Sequence, residues 1–166
     1  LEYRVGAEIG VGQGEYSASL CRYNPGVKLY CVDPWKTYEE YSNSVSQETL
    51  DKDYAVAVRR LVPYDCNIIR KRSLDTVKDF ERDSLDFVYI DGNHTYEYVL
   101  QDANEWSRIV KPGGIVCGHD YTVDTRPHPY VGLDVKRAID EHVLSHSVKV
   151  LFLFIKRSSS TWAYVK

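Results

Sequence analysis

Short apolar runs alternate along this chain with segments of helical periodicity, and that alternation leaves few folds open. The runs fall at residues 4–9, 28–32, 67–70, 87–90, 115–117, 148–155 and 161–165, and their length and spacing fit strands. Between them, Leu50, Tyr54, Val58 and Leu61 recur at helical spacing behind Ser44-Val45-Ser46-Gln47, a stretch with capping-box chemistry. Val99, Ala103, Trp106 and Val110 form a second stripe, closed by Lys111-Pro112-Gly113-Gly114. Val135, Ala138, Ile139 and Val143 form a third. The pattern predicts an α/β fold with a largely parallel sheet. Only Lys156-Arg157-Ser158-Ser159-Ser160 separates the last two runs, whereas a parallel crossover needs about a dozen residues or more. Those two strands are therefore predicted to be antiparallel neighbours.

A chain of 166 residues, 43% of them hydrophobic, can bury one core, and no internal repeat or linker divides it. The whole chain, 1–166, reads as a single domain. Its net charge is −3, and the basic runs Arg59-Arg60, Arg70-Lys71-Arg72 and Lys156-Arg157 are dispersed rather than gathered into a stripe, which argues against a nucleic-acid partner. No apolar run approaches the roughly 18 residues of a membrane span, and no leader precedes the first strand, so a soluble, cytoplasmic protein is expected. The four cysteines include Cys31 and Cys117 within apolar runs, and none has C-x-x-C spacing. They read as reduced thiols of a cytosolic protein. Methionine is absent even from position 1, as in a chain trimmed of its natural start.

The stretch Glu8-Ile9-Gly10-Val11-Gly12-Gln13-Gly14 follows the first strand and precedes a helix expected to start near Glu15 or Tyr16. There the glycine backbone and a helix N-terminus can face a nucleotide-like ligand at the carboxyl edge of the sheet. The spacing is G-x-G-x-G, not the G-x-G-x-x-G of dinucleotide binders, and no Walker-type lysine pair is present. Asp33 closes the second strand about 20 residues beyond the loop, where a carboxylate can accept both ribose hydroxyls. Glu8 faces the loop from the other side. Two carboxylates repel a pyrophosphate and attract a ligand that carries an amino group, a sulfonium and a ribose.

The segments AEIGVGQGEYS, LYCVDPW, DFVYIDGNHTYEYVLQDANEWSRIVKPGGIVCGHDY and VGLDVKRAIDE together resemble the class I S-adenosylmethionine-dependent methyltransferases, and within them the small branch similar to the macrolide-sugar, macrocin-type O-methyltransferases. The resemblance implies a Rossmann-like three-layer sandwich with a seven-stranded, mostly parallel sheet whose last strand is antiparallel. It also implies that Gly10, Gly12 and Gly14 line the methionine part of the cofactor, that Glu8 lies near its amino group and that Asp33 holds the ribose. Ser73 and Leu74 match positions that border the adenine. Members of the family usually carry helices before the glycine-loop strand, which here begins almost at residue 1. An N-terminal cap is thus either lost or borrowed from another subunit in a homo-oligomer.

Asp91 ends the fourth strand, and His119-Asp120 ends the fifth, so all three should emerge beside the glycine loop. Asp91, His94 and His119 are the candidate catalytic residues, because methyl transfer from a sulfonium needs an aligned nucleophile and a group that takes its proton. Related O-methyltransferases bind magnesium at such strand ends, which makes Asp91 and Asp120 candidate ligands. His119 is a departure from that pattern, since an imidazole nitrogen suits zinc, iron or nickel better. Trp35, Tyr38, Tyr121 and Tyr130, in the two long irregular segments, are candidates to wall a small-molecule acceptor site. Two further readings stay open. One is an NAD-dependent oxidoreductase, disfavoured by the loop spacing, the antiparallel last strand and the absence of a Tyr-x-x-x-Lys pair; the other is a non-catalytic cofactor-binding or assembly domain.

Overall fold

The computed structural model of the chain describes residues 3–37, 45–121, 133–149, 151–156 and 159–166. Seven strands, β1 (Val5–Ile9), β2 (Lys28–Val32), β3 (Cys66–Ile69), β4 (Leu85–Ile90), β5 (Val110–His119), β6 (Phe152–Lys156) and β7 (Ser159–Val165), form one sheet in the order β3-β2-β1-β4-β5-β7-β6. Helices α1 (Glu15–Tyr23), α2 (Gln47–Leu61), α3 (Ser73–Thr76), α4 (Tyr96–Ile109) and α5 (Leu133–Ser145) fill the connections. β1, β2, β3, β4 and β5 pair in parallel, and β7 runs antiparallel to both β5 and β6. The hairpin expected from the short last connection is present, and it slots the final strand between β5 and β6.

The helical stripes become the two outer layers. On one face Val99, Ala103 and Trp106 of α4 and Val135, Ala138 and Ile139 of α5 pack on Ala7, Ile9 and Val88. On the other, Ala18 and Cys21 of α1 and Ala57 and Leu61 of α2 cover Leu29 and Cys31. Each large side chain buried this way contributes on the order of 1.5–3 kcal/mol. Ser46 caps α2 by accepting the Thr49 amide at 3.2 Å, as the capping chemistry upstream of that helix predicts.

Two boundaries differ from expectation. Val110, placed by its spacing on the α4 stripe, is extended (ψ 137°) and opens β5, where it pairs with Leu85. Lys111 precedes Pro112, and a residue before proline is pushed out of the helical region, so the helix stops before the Lys-Pro-Gly-Gly stretch and the strand runs through it. Val148, placed in the sixth strand, instead donates its amide to the Val143 carbonyl at 3.0 Å, beyond a left-handed Ser147. That turn closes the C-terminus of α5, and β6 starts only at Phe152. No described helix is long and apolar enough to cross a membrane.

Candidate cofactor and acceptor site

β1 alternates its side chains, so Ala7 and Ile9 enter the α4 core and Glu8 points to the opposite face. Glu8 is only 2% exposed, and the Ser17 hydroxyl of α1 donates to its carboxyl. Burial pushes the Glu8 pKa up to about 8; the Ser17 bond pulls it back, and the neighbouring Asp91 and Asp33 charges raise it further. The group is therefore largely neutral at pH 7 and ionises readily once a cation approaches.

After β1 the chain turns through three glycines with positive φ. Gly10 cannot be replaced without a shift, because a β-carbon there would lie 2.1 Å from the Asp91 carbonyl oxygen. Gly12, at φ +53°, has open space in front of it. Gly14 is the left-handed N-cap of α1 and faces Leu61 and Ala57; it supports the turn from behind and does not line the cavity. Gly10 and Gly12 do.

Asp33 anchors this turn. Its Oδ2 accepts the amides of Val11 and Gly12, both at 3.0 Å, and its Oδ1 accepts the Trp35 amide at 2.7 Å. The Trp35 indole donates to the Gly12 carbonyl at 2.9 Å from the same side. A carboxylate offers about four lone-pair sites, so one site, on Oδ1, is left for an incoming donor.

In front of the turn lies a cavity of about 1160 Å³, lined by Glu8, Gly10, Gly12, Asp33, Ser73, Leu74 and Asp91 among others. The cofactor residues expected from sequence thus converge on one space, Gly14 excepted. The far wall comes from α4, and there Asp102 is 4% exposed. Ser73 donates its hydroxyl to Asp102 and accepts the Trp106 indole proton at 2.7 Å. Burial lifts the Asp102 pKa to about 7 against the Ser73 bond. Sequence inspection missed Asp102, although the signal was there: it lies three residues after Val99 and four before Trp106, on the core face of an amphipathic helix.

At the other end of the site, His94 Nε2 stands 3.2 Å from Asp91 Oδ1 and 3.6 Å from Asp120 Oδ2. Burial disfavours the charged ring, but the Asp91 bond and the Asp91 and Asp120 charges outweigh it and raise the His94 pKa. Asp91, His94 and Asp120 each offer a ligand atom within 4.8 Å of the others. The nitrogen in this cluster belongs to His94, not His119. His119 turns its Nδ1 toward Asp120 Oδ1 at 2.9 Å and supports that carboxylate from outside the cluster. Of the expected wall aromatics, Trp35 lines the cavity, and Tyr121 donates its hydroxyl to Asp140 of α5 and packs in the core. Tyr38 and Tyr130 lie outside the described residues.

A glycine turn with a carboxylate at the end of β2 is common to nicotinamide-binding domains, but a second carboxylate buried in β1 and an antiparallel β7 between β5 and β6 distinguish this chain from them, since their strand order is 3-2-1-4-5-6. The methyltransferase domain family matches residues 7–121, more than half of the chain. The chain belongs to that family. Its fold is similar to that of the O-methyltransferase TomG of Streptomyces achromogenes, involved in tomaymycin synthesis and solved in complex with SAM (18% identity, TM-score 0.67, 99% of this chain and 74% of that one). It is also similar to an O-methyltransferase of Bacillus cereus in complex with SAH (14%, 0.67, 99% and 75%) and to an O-methyltransferase family protein of Burkholderia thailandensis (14%, 0.70, 99% and 51%). Among curated sequences, the uncharacterized protein y4gI of Sinorhizobium fredii is 24% identical over 103 residues. The match covers 62% of this chain and 11% of that protein.

Proposed function

We propose that this methyltransferase domain binds S-adenosylmethionine in the cavity before the glycine turn and transfers its methyl group to an oxygen of a small-molecule acceptor. The observation that carries this reading is the pair of carboxylates, Glu8 and Asp33, that flank the turn. Glu8 receives the ammonium of the methionine moiety and ionises as it does so. Gly10 and Gly12 let the backbone approach the methionine chain, Asp33 accepts a ribose hydroxyl at its remaining Oδ1 site, and Ser73 and Leu74 border the adenine.

Displacement at a sulfonium methyl asks the protein mainly to align the acceptor and take its proton. His94, held between Asp91 and Asp120, is the group we assign to the proton, with Asp91 orienting the ring and His119 steadying Asp120. The same donor set fits a divalent cation: Asp91 and Asp120 are hard oxygen ligands suited to magnesium, with His94 as the third donor. Such an ion, when bound, would acidify the acceptor hydroxyl. The four cysteines are free, and on that ground we infer a cytoplasmic setting.

Calorimetric titration with S-adenosylhomocysteine, and in parallel with NAD, tests the reading. Micromolar binding of the first and none of the second is expected. Binding of NAD alone would overturn the assignment.

A further inference from the structure

We propose that the outer edge of β6 receives an extended, acidic segment of another polypeptide, which adds to the sheet as a further strand.

All 24 acidic residues of the chain precede position 142, whereas Lys149, Lys156, Arg157 and Lys166 follow it. A chain of net charge −3 thus carries, over residues 142–166, cations and no carboxylate. That stretch contains β6 and β7. β6 stands last in the strand order, and among the described residues it pairs with β7 on one side and with no strand on the other. Its outer edge therefore keeps a row of N–H and C=O groups that an incoming strand can satisfy.

Sheet edges are ordinarily guarded by charges, proline or a bulge. Here the first three positions of β6 are Phe152, Leu153 and Phe154, exposed by 49%, 41% and 62%. Successive side chains point to opposite faces of a sheet, so apolar surface flanks the open edge above and below. At the start of the strand lies a cavity of about 650 Å³, lined by Val148, Lys149, Phe152, Tyr164 and Val165 among others. No Asp or Glu is among its described lining residues. It has room for a large apolar side chain of the incoming strand, and a carboxylate next to that side chain would meet the exposed Lys149.

These features choose among occupants. A lipid bilayer would leave the open backbone row unsatisfied in hydrocarbon. A second copy of β6 would bring the same cations and no carboxylate, and like charges set opposite each other destabilise a strand pair. Single-stranded nucleic acid can stack on phenylalanine and neutralise lysine, but its backbone offers no ladder of donors and acceptors to a strand edge. A peptide that alternates apolar residues with Asp or Glu matches the backbone row, the apolar flanks and the charge together.

Selection of a random dodecapeptide library on the full chain tests this. Enriched peptides should alternate apolar residues with Asp or Glu; enrichment of basic or unpatterned sequences, or no enrichment, would overturn the proposal. With the most enriched peptide bound to the wild type, amide exchange within Phe152–Lys156 should slow by about tenfold or more, while that of β3, at the other edge of the sheet, stays unchanged. Protection that spares β6 counts against the assignment, whether or not any variant folds. Phe154→Asp, at an exposed position, should weaken the peptide by about tenfold or more, and Lys149→Glu should reduce the salt dependence of its binding. Wild-type affinity in Phe154→Asp would place the peptide elsewhere. Phosphatidylserine vesicles, single-stranded DNA and self-association of the chain serve as competitors: any of them protecting the β6 amides better than the peptide does would give the edge to that occupant and sink the proposal.

Discussion

Asp33 Oδ2 accepts the Val11 amide at 3.0 Å, across 22 residues of sequence, so the carboxylate that closes β2 also shapes the turn that follows β1. Asp33→Ala removes the acceptor for three backbone amides as well as the proposed ribose contact. Affinity for S-adenosylhomocysteine should fall by about 2–3 kcal/mol, as for other hydrogen bonds to an ionised group. The free protein should lose about 1–3 kcal/mol of stability through unsatisfied amides. Calorimetry and thermal melting read the two effects separately. Unchanged affinity would remove Asp33 from the ribose site.

Glu8 is protonated at pH 7 in the free protein because burial lifts its pKa to about 8. An ammonium placed beside it should drive the proton off, so binding of S-adenosylhomocysteine at pH 7 should release up to one proton. Apparent binding enthalpies in phosphate and in Tris should then differ, and Glu8→Gln should abolish the difference. The sign for stability is opposite in the free chain. With a folded pKa above the unfolded value of 4.5, the contribution from Glu8 is present below pH 4.5 and is lost as pH rises through about 8. Enthalpies that ignore the buffer would remove Glu8 from the ammonium site.

Asp91, His94 and Asp120 should bind a divalent ion without any acceptor present. Titration of the metal-free protein with Mn²⁺, followed by electron paramagnetic resonance, should show one bound ion. Asp91→Asn or Asp120→Asn should weaken that binding by about tenfold or more, since each removes a charged ligand. No binding would leave His94 as the sole agent of proton transfer.

His142 of α5 is fully buried between Asn104 of α4, at 2.7 Å from Nδ1, and Tyr164 of β7, at 2.6 Å from Nε2. Burial first, and then the charge on the nearby His146, bring its pKa down to about 4. Above pH 6.5 the ring is neutral in both folded and unfolded chains; as pH falls toward 4, only the unfolded chain takes up the proton, and stability drops. The loss at pH 5 relative to pH 7.5 should be about 2 kcal/mol. Urea unfolding of the wild type and of His142→Gln at the two pH values isolates it. Equal losses in the two proteins would mean that His142 titrates normally in the fold.

Several of these features were legible in the residues alone. Apolar runs and stripes report the sheet and its two helical layers, because hydrophobic periodicity is a local property of the chain. The five residues between the last two runs impose the antiparallel hairpin through chain length, and Glu8, Gly10, Gly12, Asp33, Ser73, Leu74 and Asp91 reach one cavity because strand ends of a parallel sheet share an edge. What remained depended on packing between distant segments. That His94 rather than His119 stands between Asp91 and Asp120, that Asp33 holds three amides of its own chain, and that Ser73 and Trp106 orient Asp102 across 29 residues are all through-space relations. They follow from how far α4 docks against α3 and how tightly the loops close, and side-chain directions there are set by the tertiary contacts of the whole domain, which no local pattern encodes.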